Sequence, residues 1–253
     1  MPIDFDAIRA KLNKLSGNTK SRNSMWRPTE GEEHTVRLIS FPDNEGQPFK
    51  ELWFYYNIPG QRGLLAPYQF GKKDPVQELI TKLREDGQKE SYEMAKKLYP
   101  SMRCYAAVIV RGEEEKGVQI WSFGKTVYQT LLNYMLDEDY GDITDAEEGF
   151  DIKVSCSKSP GMQYAKTEVR PRPRSTSLSK DSKKAKEWID SIPDPTEMFS
   201  CKSYDELTNI INAWLAGDDD SDGTEKPTST KKKEGGTKAY SDIDDAFADL
   251  MED

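Results

Sequence analysis

The chain has 253 residues, enough for one large domain or two small ones, with 36 Lys+Arg against 45 Asp+Glu and a net charge of −9. Taken whole, that balance counts against a phosphate-rich partner, since phosphate binding is driven by Lys and Arg. A hydrophobic fraction of 35% and a mean hydropathy of −0.83 predict that part of the chain builds no core.

In chain order, Asp4–Leu15 reads as a helix capped by Asp4 and stopped at Gly17. A basic link, Asn18–Ser24, follows with Lys20 and Arg22. Thr35–Phe41 and the aromatic run Phe49–Ile58 read as strands. Asp74-Pro75 opens a helix, Asp as N-cap and Pro at the first helical position, with Val76, Leu79, Ile80 and Leu83 on its apolar face. A second helix is expected over Lys89–Leu98. Cys104–Val110 is the most apolar stretch and reads as a central strand, with Val118–Phe123 as its hairpin partner. A helix over Lys125–Leu136 buries Val127, Leu131, Tyr134 and Met135. After an acidic loop, Asp151–Ser157 alternates as a strand, and Met162–Val169 returns antiparallel to it. Arg170-Pro171-Arg172-Pro173-Arg174 is neither central strand nor helix, because its prolines remove donors and fix the backbone. It is an extended basic arm or a solvated linker; the pattern admits both. Two helices follow, near Asp181–Ser191 and after a capping box, Ser203-x-x-Glu206. Beyond Gly217 the composition predicts disorder. Within that tail Ile243, Phe247, Leu250 and Met251 recur at helical spacing, as a partner-binding helix or as a solvated tail.

Several classes of function fall away. No apolar run approaches the ~20 residues of a membrane span. The charged start has no apolar export-signal core. Cys104, Cys156 and Cys201 are scattered and His34 is the single histidine, so neither a disulfide framework nor a zinc spacing is implied. Catalysis through His34 is disfavoured, since a lone histidine at a strand edge is more often structural. No phosphate loop, dinucleotide glycine pattern or HExxH occurs.

The charge is segregated. Residues from Gly217 to Asp253 carry 12 acids and 5 lysines, net −7, while Met1–Ala216 nets only −2. Lys153–Lys186 nets +8, and Glu113–Asp151 nets −9. Such blocks set local fields that a total conceals. Beside the predicted strands, aromatic and basic residues interleave. Arg37, Tyr55, Tyr56, Arg103, Tyr105, Arg111, Trp121, Lys125, Lys153, Tyr164, Lys166, Arg170 and Arg172 are the candidate nucleic-acid-binding residues. Bases stack on aromatic faces while Lys and Arg track phosphates, which suits single-stranded nucleic acid of any sequence. Period two also requires about half of each strand's side chains to pack a core, so individual aromatics can serve either purpose. The expected fold is mainly β with inserted helices: an OB-fold core barrel plus a small helical subdomain.

At this point the chain resembles the single-stranded DNA-binding, helix-destabilising protein family of T-even and related phages. The likeness rests on Leu12-Asn13-Lys14-Leu15-Ser16-Gly17-Asn18, on Trp26 with Val36-Arg37-Leu38-Ile39-Ser40-Phe41-Pro42, and on Tyr105–Val110 with Trp121-Ser122-Phe123-Gly124-Lys125. Ser203-Tyr204-Asp205-Glu206-Leu207 and the acidic end Asp244–Leu250 complete it, in the family's order. Better-known members hold a structural zinc with one His and three Cys, the last two in a Cys-Pro-x-Cys run. The similar place here reads Asp74-Pro75-Val76-Gln77, with Tyr55 near the histidine position. No zinc or other cofactor is therefore expected, and packing through Leu79, Ile80 and Leu83 should hold that subdomain. The family's Lys/Arg-Ser/Thr self-association motif is matched only by Lys20-Ser21-Arg22-Asn23-Ser24.

The resemblance implies three regions: residues 1–24 for self-association, 25–216 as the DNA-binding core, and 217–253 as an acidic tail. It implies a non-enzymatic, sequence-independent single-stranded DNA-binding protein of phage replication, recombination and repair, working in the cytoplasm of the infected bacterial host. The tail would recruit replication and recombination proteins and compete with DNA for the basic groove. The alternative is an acidic protein-interaction scaffold without direct DNA binding. A magnesium-dependent enzyme comes third, since no ligand spacing supports it.

Overall fold

A computed structural model describes residues 25–216 apart from positions 43, 162 and 163. The expectations for the N-terminal helix, Lys20, Arg22 and the tail residues Ile243, Phe247, Leu250 and Met251 fall outside the described residues. The chain divides into two units. The first comprises the residues up to Leu52 with Met102–Phe199, and the second Trp53–Ser101 with the residues from Ser200 onward.

The first unit is built on a mixed, open sheet. Its strands are β1 (Met25–Trp26), β2 (Glu33–Ile39), the opening of β3 (Lys50–Tyr55), β5 (Ser101–Val110), β6 (Gln119–Phe123), β7 (Phe150–Ser157) and β8 (Lys166–Ser175). The order is β1-β6-β5-β2-β7-β8, with β1 parallel to β6 and the remaining neighbours antiparallel. β5 lies in the middle, and every residue from Cys104 to Val110 is buried. A strand covered on both faces reads as a continuous apolar run rather than an alternation. Val36, Leu38, Ala106, Val108, Ile152 and Val154 form the core on one face. Helix α3, Lys125–Met135, adds Val127 and Leu131 to that core. Trp121 is 1% exposed and meets Trp26 edge-on at 5.4 Å. Helix α4 (Ser182–Asp190) follows β8 and is capped by the Asp181 carboxylate, which accepts from Lys183 N.

β8 corrects the expected return strand. It begins at Lys166 and runs through the Arg-Pro repeat to Ser175. Two prolines are tolerated because β8 is the last strand of the sheet, where an absent N–H costs no ladder bond. Pro171 is buried and the arginines on either side are exposed.

Gly149 lies just before β7, under Arg37 on β2. A Cβ there would stand 2.5 Å from the Asp145 carbonyl and 2.6 Å from Arg37 Nη2. Only glycine allows that approach.

The second unit holds the end of β3, β4 (Leu64–Leu65), and helices α1 (Pro75–Glu85), α2 (Lys89–Leu98) and α5 (Tyr204–Leu215). Phe54 and Tyr55 pair with Leu65 and Leu64. Leu79, Ile80 and Leu83 of α1 are all at or below 3% exposure, packed with Leu98, Leu207 and Ile211. The capping box at α5 forms as the spacing predicts: Glu206 N donates to Ser203 Oγ, and Ser203 N donates to Glu206 Oε2 at 2.8 Å.

Asp74 organises this unit. Its Oδ1 accepts from Val76 N and Gln77 N, which caps α1. Its Oδ2 accepts from the Tyr55 hydroxyl at 2.8 Å and from Tyr68 N at 3.3 Å. Asp74 is 3% and Tyr55 1% exposed. These residues do not fit a zinc ion. Both carboxylate oxygens are engaged by N–H and O–H donors, and Tyr55 offers a proton rather than a lone pair. Burial, together with the Asp74 charge, pushes the Tyr55 hydroxyl well above the ordinary tyrosine range.

Candidate nucleic-acid interface

Register and alternation place the basic residues of the first unit. β2, β7 and β8 lie side by side, and successive side chains of a strand face opposite ways. Thr35, Lys153 and Arg170 stand in one row across the three strands, and Glu33, Ser155 and Glu168 in the next. Along β8 the same face carries Lys166, Glu168, Arg170 and Arg172, all exposed, while Val169 and Pro171 turn inward and are buried; the register with β7 shifts after Pro171, and Arg174 is exposed beyond that shift.

A cleft of about 500 Å³ lies along this surface. Lys153, Lys166 and Arg170 line it with Glu33 and Glu168, and α3 contributes Thr126, Thr130 and Tyr134. Lys153 Nζ is 2.5 Å from Glu33 Oε1, and Lys166 Nζ is 2.7 Å from Glu168 Oε1. The hydrogen bond from Lys153 holds the Glu33 carboxyl below the usual carboxylate range, helped by Lys153's charge and those of Arg170 and Arg172. The hydrogen bond from Lys166 does the same to Glu168. Among the described residues, Arg170, Arg172 and Arg174 make no ion pair. An unpaired, exposed guanidinium row beside a cleft with a tyrosine in its wall can hold a polyanion carrying aromatic rings.

The structure brings Lys153, Lys166 and Arg170 together, with Arg172 continuing the row. Tyr164, 76% exposed, stands two residues ahead of β8. Lys125 is exposed at the start of α3, and Arg103 is half-buried with its guanidinium beside Gly124. Tyr56, 41% exposed, belongs to the second unit.

Five candidates require correction. Trp121 and Tyr105 are core residues; Tyr105 packs edge-on against Phe199 at 5.6 Å. Tyr55 serves the Asp74 node. Arg37 is fully buried, and its Nη2 donates to the Asp145 carbonyl. Burial lowers the Arg37 pKa to about 10. Arg111 uses Nε and Nη2 on Asp151 Oδ1, at 3.0 and 2.8 Å, and Nη1 on the Leu178 carbonyl at 2.9 Å. It fastens the segment after β8 to β7 and is not free for phosphate.

Sequence reasoning missed Tyr134, which it assigned to the buried side of α3. Tyr134 is half-buried and lines the cleft. Thr126, Thr130 and Tyr134 recur at i, i+4 and i+8, a helical stripe that could have been read as a second face. Arg174 extends the exposed arginines one step past the residues that the sequence pattern singles out.

A family description, gp32 DNA binding protein like, matches residues 31–215. No curated protein matches the chain.

Proposed function

Since the chain belongs to the gp32-like DNA-binding family, we propose that it binds single-stranded DNA without sequence preference, along the face of β8. The observation that carries this reading is the unpaired arginine row Arg170, Arg172 and Arg174 beside the cleft. Phosphates would follow the arginines, and bases would stack on Tyr134 and Tyr164. Stacking and phosphate contact require no reading of base edges, so any sequence serves. In this reading the open mixed sheet is of OB type, the protein performs no chemistry on the strand, and it serves replication, recombination and repair in the cytoplasm of an infected bacterial host. Residues 1–24 link copies along the DNA.

The acidic tail would recruit partner proteins and compete for the +8 block. Its net −7 supports that competition. Deleting residues 217–253 is expected to tighten binding, most at low salt; equal affinities with and without them would dismiss the competition.

The direct test is fluorescence anisotropy of a labelled oligo(dT) across a salt series. Of the five tryptophans, Trp26, Trp121 and Trp188 are buried and Trp53 and Trp214 half-buried in the second unit, which does not contain β8, so a label on the DNA reports more directly than protein fluorescence. Binding should weaken with a log–log slope of about −0.7 per phosphate neutralised. Absence of binding at low salt would reject the proposal in favour of an acidic scaffold.

A further inference from the structure

The cleft treats its cations in two ways. The arginines of β8 make no ion pair among the described residues, whereas both lysines are neutralised. Lys153 reaches across from β7 to Glu33 on β2, and Lys166 bends along its own strand to Glu168. Both carboxylates lie on the same face as Arg170, in adjacent rows of the sheet. A carboxylate offers a lysine ammonium what a phosphate offers: anionic oxygen at hydrogen-bond distance. The side chains of all four residues keep between 33% and 66% exposure, so a solvated strand can reach them.

We propose that Glu33 and Glu168 are resident phosphate mimics, which hold Lys153 and Lys166 in place and are displaced by a single-stranded DNA backbone. This rests on the DNA-binding reading above. The strand first meets the free arginines. Its neighbouring phosphates then take the lysines from their carboxylates, and each glutamate turns out to solvent. The exchange keeps the lysines ordered in the free protein. It also subtracts from affinity, because an ion pair is broken for each one made. The face is thereby tuned to release DNA more readily than its count of bases suggests. No part of this depends on the acidic tail.

The experiment measures oligo(dT) affinity of the full chain across salt for Glu33→Gln, Lys153→Met and the double variant. Glutamine keeps the shape and removes the charge; methionine keeps the apolar stem of lysine. Glu33→Gln should tighten binding about 5-fold at low salt and steepen the salt slope by about 0.7, one further phosphate. In the Lys153→Met background the same replacement should bring no gain. Thermal stability should stay level, since exposed pairs contribute little. Glu168→Gln should repeat the pattern through Lys166. A gain of equal size with and without Lys153 would show a general charge effect and overturn the proposal, as would unchanged affinity in a wild type that binds. Failure of the wild type and every variant to bind at about 20 mM salt would overturn the DNA-binding reading itself, and this inference with it.

Discussion

Replacing Arg170 and Arg172 together with alanine is expected to weaken oligo(dT) binding by about 10- to 100-fold at moderate salt and to flatten the salt slope by about 1.4, two phosphates' worth. The two residues sit two apart on β8, hence about 6.6 Å apart along one face. That is close to the separation of neighbouring phosphates in an extended single strand. Each guanidinium presents a planar fork that matches phosphate oxygens. Both side chains are exposed and unpaired among the described residues, so removing them should leave the melting temperature within about a degree or two. Arg111→Ala is the informative contrast. Asp151 beside it is 6% exposed and would lose its partner. That variant should lose stability by about 3 kcal/mol, whatever it does to binding. A double β8 variant with the wild-type affinity and slope would move the interface elsewhere.

The second large effect concerns stability. Asp74→Ala removes the N-cap of α1 and strands the Tyr55 hydroxyl and the Tyr68 amide in a buried site. A cap is worth about 1 kcal/mol and an unsatisfied buried donor about 1–3 kcal/mol. We expect a loss of about 3 kcal/mol for Asp74→Ala and about 1.5 kcal/mol for Tyr55→Phe, read by denaturant or thermal unfolding. The pH dependence gives an independent readout. The Tyr55 proton is held more tightly in the folded state than in the unfolded one, whose tyrosine titrates near 10. This contribution is therefore complete below pH 10 and is lost as pH rises above it. Tyr55→Phe should lose less stability between neutral pH and high pH than the wild type. A chelator should leave the melting curve unchanged, because the node's oxygens are engaged by N–H and O–H donors; a fall on chelation would contradict this account.

Much of the fold is legible along the chain. The helix over Lys89–Leu98 falls where the spacing puts it, Asp74 caps as its type and its proline neighbour predict, and Ser203 with Glu206 closes the capping box. Those features depend on residues within a few positions of each other. The site is less legible, because alternation tells which side chains share a face and not what covers that face. Arg37 and Arg170 both look like exposed strand bases. Arg37 is covered by the acidic segment around Asp145 and Gly149, which returns from more than a hundred residues away. Trp121 and Tyr105 look like stacking platforms until the strand order puts β5 and β6 inside the sheet. The sequence pattern sets the return strand at Met162–Val169 and makes the Arg-Pro repeat an extended arm or a linker, whereas the strand continues through it to Ser175. Its prolines exclude only a central position, and an edge accepts them.

That edge has a consequence for crowding. Molecules ranged along one DNA strand would meet at very high local concentration, and an uncapped sheet margin there invites fusion into a continuous ribbon of strands. β8 offers Pro171 and Pro173 at that margin, along with four like charges from Lys166 to Arg174 outside its one glutamate. A second copy finds missing amides and repulsion where it would need donors. On the DNA-binding reading proposed above, the repeat that would grip phosphate would also keep neighbouring molecules separable, so that a coated strand could be stripped one protein at a time.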